Sequence, residues 1–226
     1  MTTGPEHLPV ALVRKPVKHL YLRILADGTI RVTAPARMDL DTIHAFVRSR
    51  RDWIERGRAR QLQRQPSSHY RWCEGELHLC WGISVPLTLV DATGKPAVRL
   101  ENGKLHLHTG AASTAAEREK ALTAWYCAQV AEKAAPLIEH WQQRLNVSLR
   151  RLTVRRMKTR WGSCTPARAT IRLSSELARK PLECLEYVVV HELVHLLEAS
   201  HNHRFVALMD EALPHWRQLR RLLNGG

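Results

Sequence analysis

From Val17 to Ala34 (VKHLYLRILADGTIRVTA) apolar positions alternate with polar and basic ones; Leu20, Leu22 and Ile24 share one face, and Ile30 and Val32 resume the period. A period of two centred on Asp27-Gly28 predicts a β-hairpin, because Asp-Gly readily takes the positive φ angles of a tight turn. Pro35 ends that pattern. Ile43, Phe46, Val47, Trp53 and Ile54 then recur at helical spacing, with Asp39 or Asp41 placed to cap the helix. RQLQRQPSSH reads as a linker or loop, ELHLCWG and ISVPLTLV as strands, DATGKP as a turn, and AVRLENGKLHLHT as a hairpin about Asn102-Gly103. Ser113 or Thr114 opens a long helix to about Asn146, with Glu117 and Glu119 in its first turns and Pro136 expected to kink or divide it. Residues from Val147 to Leu173 look extended, interrupted by WGSCTPARA; helices follow near Pro181 and from Pro214, the latter with Trp216, Leu219, Leu222 and Leu223 facing inward. This order of elements predicts an α+β protein: a loose tail over 1–9, an antiparallel β-rich part over 10–110, and a helical part over 111–226.

Composition narrows the function. With 44% hydrophobic and 25% charged residues in 226, the chain is not disordered throughout. Its most apolar run, Leu185 to Leu197, is broken by His191, Glu192 and His195 and falls short of the roughly 18 residues of a membrane span. MTTGPEHLPV lacks the pattern of a secretory signal, so a cytoplasmic location without a membrane partner is expected. Cys73, Cys80, Cys127, Cys164 and Cys184 show no CxxC spacing and read as reduced thiols. The net charge of +14 favours anionic partners, nucleotide or nucleic acid among them. Basic segments Arg48–Arg64 and Arg150–Arg160, together with seven Trp residues, could grip a phosphate backbone, although no recognised DNA-binding motif accompanies them.

The chemistry concentrates in His191-Glu192-Leu193-Val194-His195. Residues four apart on a helix differ by about 40° around the axis and about 6 Å along it, so both imidazoles project from one face toward one ion. Neutral imidazoles suit zinc, which makes water nucleophilic near neutral pH. Glu192, beside the first ligand, is placed to accept the proton of that water. A third ligand is needed. His201 would sit about 120° around from His195 on a straight helix, too far to share the ion, so the chain must bend within Glu198-Ala199-Ser200. Ser200 and Asn202 are acceptable turn residues. Glu198 and His203 compete with His201 for this role.

RWGSC has two readings. It is a strand edge along a cleft, with Gly162 admitting close backbone approach and Arg160 facing substrate. Alternatively Trp161 packs beneath the histidine helix, Gly162 makes a bulge and Cys164 is a small buried residue. Cys164 lacks an adjacent base that would make it a nucleophile. Tyr187, one turn before His191, is a core residue or a donor to a transition-state oxygen.

The stretches RRMKTRWGSC (Arg155–Cys164), TIRLSSEL and EYVVVHELVHLLEASHNHRF (Glu186–Phe205), with the N-terminal hairpin, the Trp53 helix and Pro214-His215-Trp216, resemble the YgjP-like metallopeptidase family of the zincin superfamily. Trp81-Gly82 and His203 depart from the family's usual pattern. The resemblance implies a zincin-like C-terminal part, zinc held by His191, His195 and His201, Glu192 as general base, and a peptide or protein substrate. Two other functions use the same residues: hydrolysis of a nucleotide phosphoanhydride, and a DNA-associated protease or nucleic-acid-binding module.

Overall fold

The computed structural model describes residues 10–25, 29–55, 57 and 70–225. These belong to two compact units, Met1–His69 and Tyr70–Gly226. In the first unit, β2 (Tyr21–Ile24) and β3 (Ile30–Pro35) form the expected antiparallel pair, with Leu22 opposite Val32; their Asp27-Gly28 turn and the 1–9 tail lie outside the described residues. The alternation in β3 buries Ile30, Val32 and Ala34 completely. β1 (Val10–Lys15) pairs parallel with β3 and makes it the central strand. α1 (Leu40–Ser49) begins at Asp39, whose Oδ1 accepts from Thr42 N at 2.7 Å, and it adds Ile43 to this core.

The second unit contains two sheets and four α-helices. β4 (Leu77–Cys80), β5 (Ile83–Asp91), β6 (Ala97–Glu101) and β7 (Lys104–Thr109) are ordered β4-β5-β7-β6. Trp81-Gly82 (φ 51° and 83°) and Asn102-Gly103 (φ 49° and 72°) make its tight hairpin turns, each with two positive φ angles. β8 (Arg151–Arg155), β9 (Gly162–Thr165) and β10 (Thr170–Ser174) form a sheet with β9 at one edge. Each sheet mixes antiparallel pairing with one parallel pair: β1–β3, β5–β7 and β8–β10. Four residues of the expected WGSCTPARA interruption are therefore strand; Gly162 stands in regular register opposite Leu173, without a bulge.

α2 (Ala115–Leu145) starts with a capping box: Thr114 Oγ1 accepts from Glu117 N, and Glu117 Oε2 accepts from Thr114 N at 2.8 Å. It runs through Pro136 undivided. Pro136 and Glu132 are both exposed, so the carbonyl that loses its helical donor opens to water.

α3 (Leu182–Val194) is buried on nearly all sides, from Cys184 and Leu185 to Val194, as expected of a helix apolar all round. It packs against α2, β9, β10 and two further helices, α4 (His203–Ala212) and α5 (Trp216–Asn224). α5 turns Trp216, Leu219 and Leu223 inward and leaves Arg217, Arg220 and Arg221 outside; Leu222, expected inward, is exposed instead. No helix among the described residues is long and apolar enough to cross a membrane.

Candidate metal centre

α3 carries His191 and ends at His195, its C-cap one turn on, with ring centroids separated by 4.9 Å. The helix then tightens: Leu196 N donates to Leu193 O and Leu197 N to Val194 O, both at 2.9 Å. The chain bends over 199–202 with every φ between His195 and His203 negative, so the turn does not need glycine. Glu198 fastens it, its Oε1 accepting from Ser200 N at 3.1 Å and Ser200 Oγ at 2.9 Å. Asn202 caps α4 by accepting from Phe205 N at 3.1 Å.

This bend returns His201 to the helix face. Its Nε2 lies 3.0 Å from His191 Nε2, and one ligating atom from each of His191, His195 and His201 lies within 4.8 Å of the others. Among the described residues, neither Glu198 nor His203 belongs to that group. Phe205, 1% exposed, packs under all three rings at centroid distances of 4.9 Å from His191 and 4.7 Å from both His195 and His201. Sequence reasoning missed this support; its one signal is an aromatic residue a helical turn after His201.

Electrostatics suit the imidazoles to a cation. Burial pushes His191 down to about 3, with His195, His201 and Arg220 acting in the same direction, and burial lowers His195 as well. Both rings are neutral at pH 7, the form that ligates a metal. His195 Nδ1 lies 3.0 Å from Glu198 O. A carbonyl only accepts, so Nδ1 carries the hydrogen and Nε2 keeps its lone pair. Two nitrogens on a tetrahedral zinc, each at about 2.0–2.1 Å, stand about 3.4 Å apart, close to the His191–His201 spacing. The donor set therefore fits zinc.

Glu192 is 5% exposed and is the one acidic side chain buried among the described residues. Burial pushes its carboxyl up to about 8, against the opposing pull of Arg160. It lies on β9: a Cβ built on Gly162 would stand 2.5 Å from Glu192 Oε1 and 2.9 Å from its Cγ. The close approach that Gly162 admits is thus that of Glu192 itself. Tyr187 packs between α3 and α5, its ring parallel to that of Trp216 at 6.3 Å. Burial, with Glu192 nearby, pushes the Cys164 thiol up to about 11 and keeps it protonated at pH 7. A cavity of about 160 Å³ opens beside these groups, with His191, Glu192, Gly162, Tyr187 and Arg220 in its wall.

Six of the seven Trp residues pack into or against the core of the second unit, and only Trp53 is exposed. The indoles therefore offer little stacking surface to a nucleic acid.

The YgjP-like metallopeptidase domain matches residues 18–225 of the chain. No curated protein matches it. Among solved structures it is similar to the metallopeptidase zymogen abylysin of Pyrococcus abyssi, at 21% identity and a TM-score of 0.35, over 37% of this chain and 85% of that one. It is also similar to the metallopeptidase zymogen jannalysin of Methanocaldococcus jannaschii, at 22% identity and a TM-score of 0.33, over 38% and 88%.

Proposed function

The chain belongs to the YgjP-like metallopeptidase family, and from that premise we propose that it is a zinc peptidase in which His191, His195 and His201 hold the ion and Glu192 is the general base. The observation that carries this reading is the convergence of three imidazoles within 4.8 Å, beside a cavity that Glu192 also lines. When bound, zinc supplies Lewis acidity, which polarises a substrate carbonyl and makes water nucleophilic near neutral pH.

The remaining work falls to the protein. Phe205 and the Asn202-capped turn hold the three rings in place, and Glu198 O fixes the tautomer of His195. Glu192 takes the proton of the attacking water on a carboxylate oxygen and returns it to the leaving amine nitrogen. Burial raises the basicity of that carboxylate above the ordinary carboxylate range, and Gly162 leaves room for it. The outer edge of β9 is not paired within its sheet, so an extended peptide can add to it as a strand and present its scissile bond alongside Glu192.

A nucleoside triphosphate suits the site less well. Pockets for such ligands usually span about 300–1,000 Å³, against about 160 Å³ here, where Arg220 is the only Lys or Arg in the lining. The test is to incubate the zinc-loaded protein with peptide libraries and, separately, with nucleoside triphosphates. Peptide cleavage that stops on chelation and returns with zinc is the expected result. Hydrolysis of triphosphates alone would overturn the peptidase reading.

A further inference from the structure

Resting on the peptidase reading, the geometry points to the cavity beside His191 as a subsite for a carboxylate-bearing substrate residue next to the scissile bond, with Arg220 as its recognition group. The size limits the occupant. A protein cavity of about 150 Å³ holds one benzene-sized molecule, so a pocket of about 160 Å³ that opens to solvent has room for one side chain. Its lining is apolar where Val188 and Leu223 (3% and 2% exposed) and Trp161 contribute. Arg220 adds the only cationic side chain.

That guanidinium is uncommitted. Its neighbour on α5, Arg217, is clamped by Asp210, with Nη2 3.1 Å from Oδ2. Among the described residues no carboxylate pairs with Arg220, and Glu192 shares the cavity without bonding to it. A pocket with apolar wall at Val188, Leu223 and Trp161 and one free planar fork at Arg220, set among polar groups, matches an aliphatic stem that ends in a carboxylate, which arginine binds through two parallel hydrogen bonds. A net charge of +14 raises the local concentration of acidic substrates.

The shared chemistry has two sources, an internal acidic side chain and the terminal carboxylate of a short peptide. Zinc-loaded protein is assayed on N-acetylated, C-amidated octapeptides carrying Glu, Gln or Lys at each position in turn, and on the same series with free C-termini. Wild type is expected to favour Glu over Gln at one position by about three- to tenfold in kcat/KM, because Arg220 is exposed and water screens an ion pair there. If the terminal carboxylate is the occupant, the preference follows the free C-terminus instead.

The ratio falls to near one in Arg220→Gln, survives in part in Arg220→Lys, and turns toward Lys in Arg220→Glu. A Glu/Gln ratio unchanged in Arg220→Glu, or an equal slowing of every peptide, would overturn the subsite while leaving the peptidase standing. If wild type cleaves no peptide, the peptidase reading fails. Calorimetric binding of the Glu and Gln peptides to Glu192→Gln and to Glu192→Gln/Arg220→Glu protein then decides the subsite: discrimination lost with Arg220 upholds it, and equal affinities throughout refute it.

Discussion

Replacing Glu192 by Gln is expected to lower kcat for peptide cleavage by about 10²–10⁴-fold, equivalent to about 3–5 kcal/mol of barrier, while metal content is unchanged. The amide has nearly the same shape and still fits against Gly162, but neither of its atoms can take up the proton of an attacking water. Folding stability separates this from a structural effect. The buried carboxylate has no hydrogen-bond donor among the described residues, so its burial is a cost that a neutral amide reduces. The variant should therefore melt no lower than wild type although it is nearly inactive. Near wild-type turnover would remove Glu192 from the mechanism.

Gly162→Ala should reduce kcat by about 10²-fold, the usual penalty for displacing a catalytic group by about 1 Å, again with metal still bound. The new Cβ would meet Glu192 Oε1 at 2.5 Å and both Glu192 Cγ and Val188 Cγ1 at 2.9 Å. Val188 is itself buried, so the carboxylate has to move. Overpacking of this kind also costs about 1–3 kcal/mol of stability, measurable by thermal melting. The backbone of Gly162 is not in the left-handed region, so strain of that kind does not confuse the result. Gly110→Ala, where a Cβ meets nothing within 4 Å, is the matched control and should leave both activity and melting unaltered.

What could be read from the chain follows the range of the interactions involved. Local chemistry was visible: Asp39 and Thr114 cap their helices, Asn102-Gly103 makes a two-residue turn, and the four-residue spacing of His191 and His195 puts both rings on one face. Contacts between distant segments were not. β1 pairs with β3 in parallel across some 20 residues and carries no turn signal to announce it. Pro136 is expected to kink or divide α2; the helix is not divided, because the exposed position lets water satisfy the carbonyl it frees. α4 was not distinguished from its neighbours, because the cap that starts it, Asn202, lies within the histidine-rich turn. Phe205 beneath the three rings and Gly162 against Glu192 are likewise products of packing, as is Arg220, brought to the cavity by α5 from near the end of the chain.

A peptidase site here requires three imidazoles to share one ion, and metal stoichiometry addresses this directly. Elemental analysis of protein purified after zinc loading and exhaustive dialysis should find one zinc per wild-type chain, with occupancy largely lost in His201→Ala and no loss in Glu192→Gln. A His201→Ala protein that keeps its zinc as tightly as wild type, or a wild-type chain that binds none, would contradict the account.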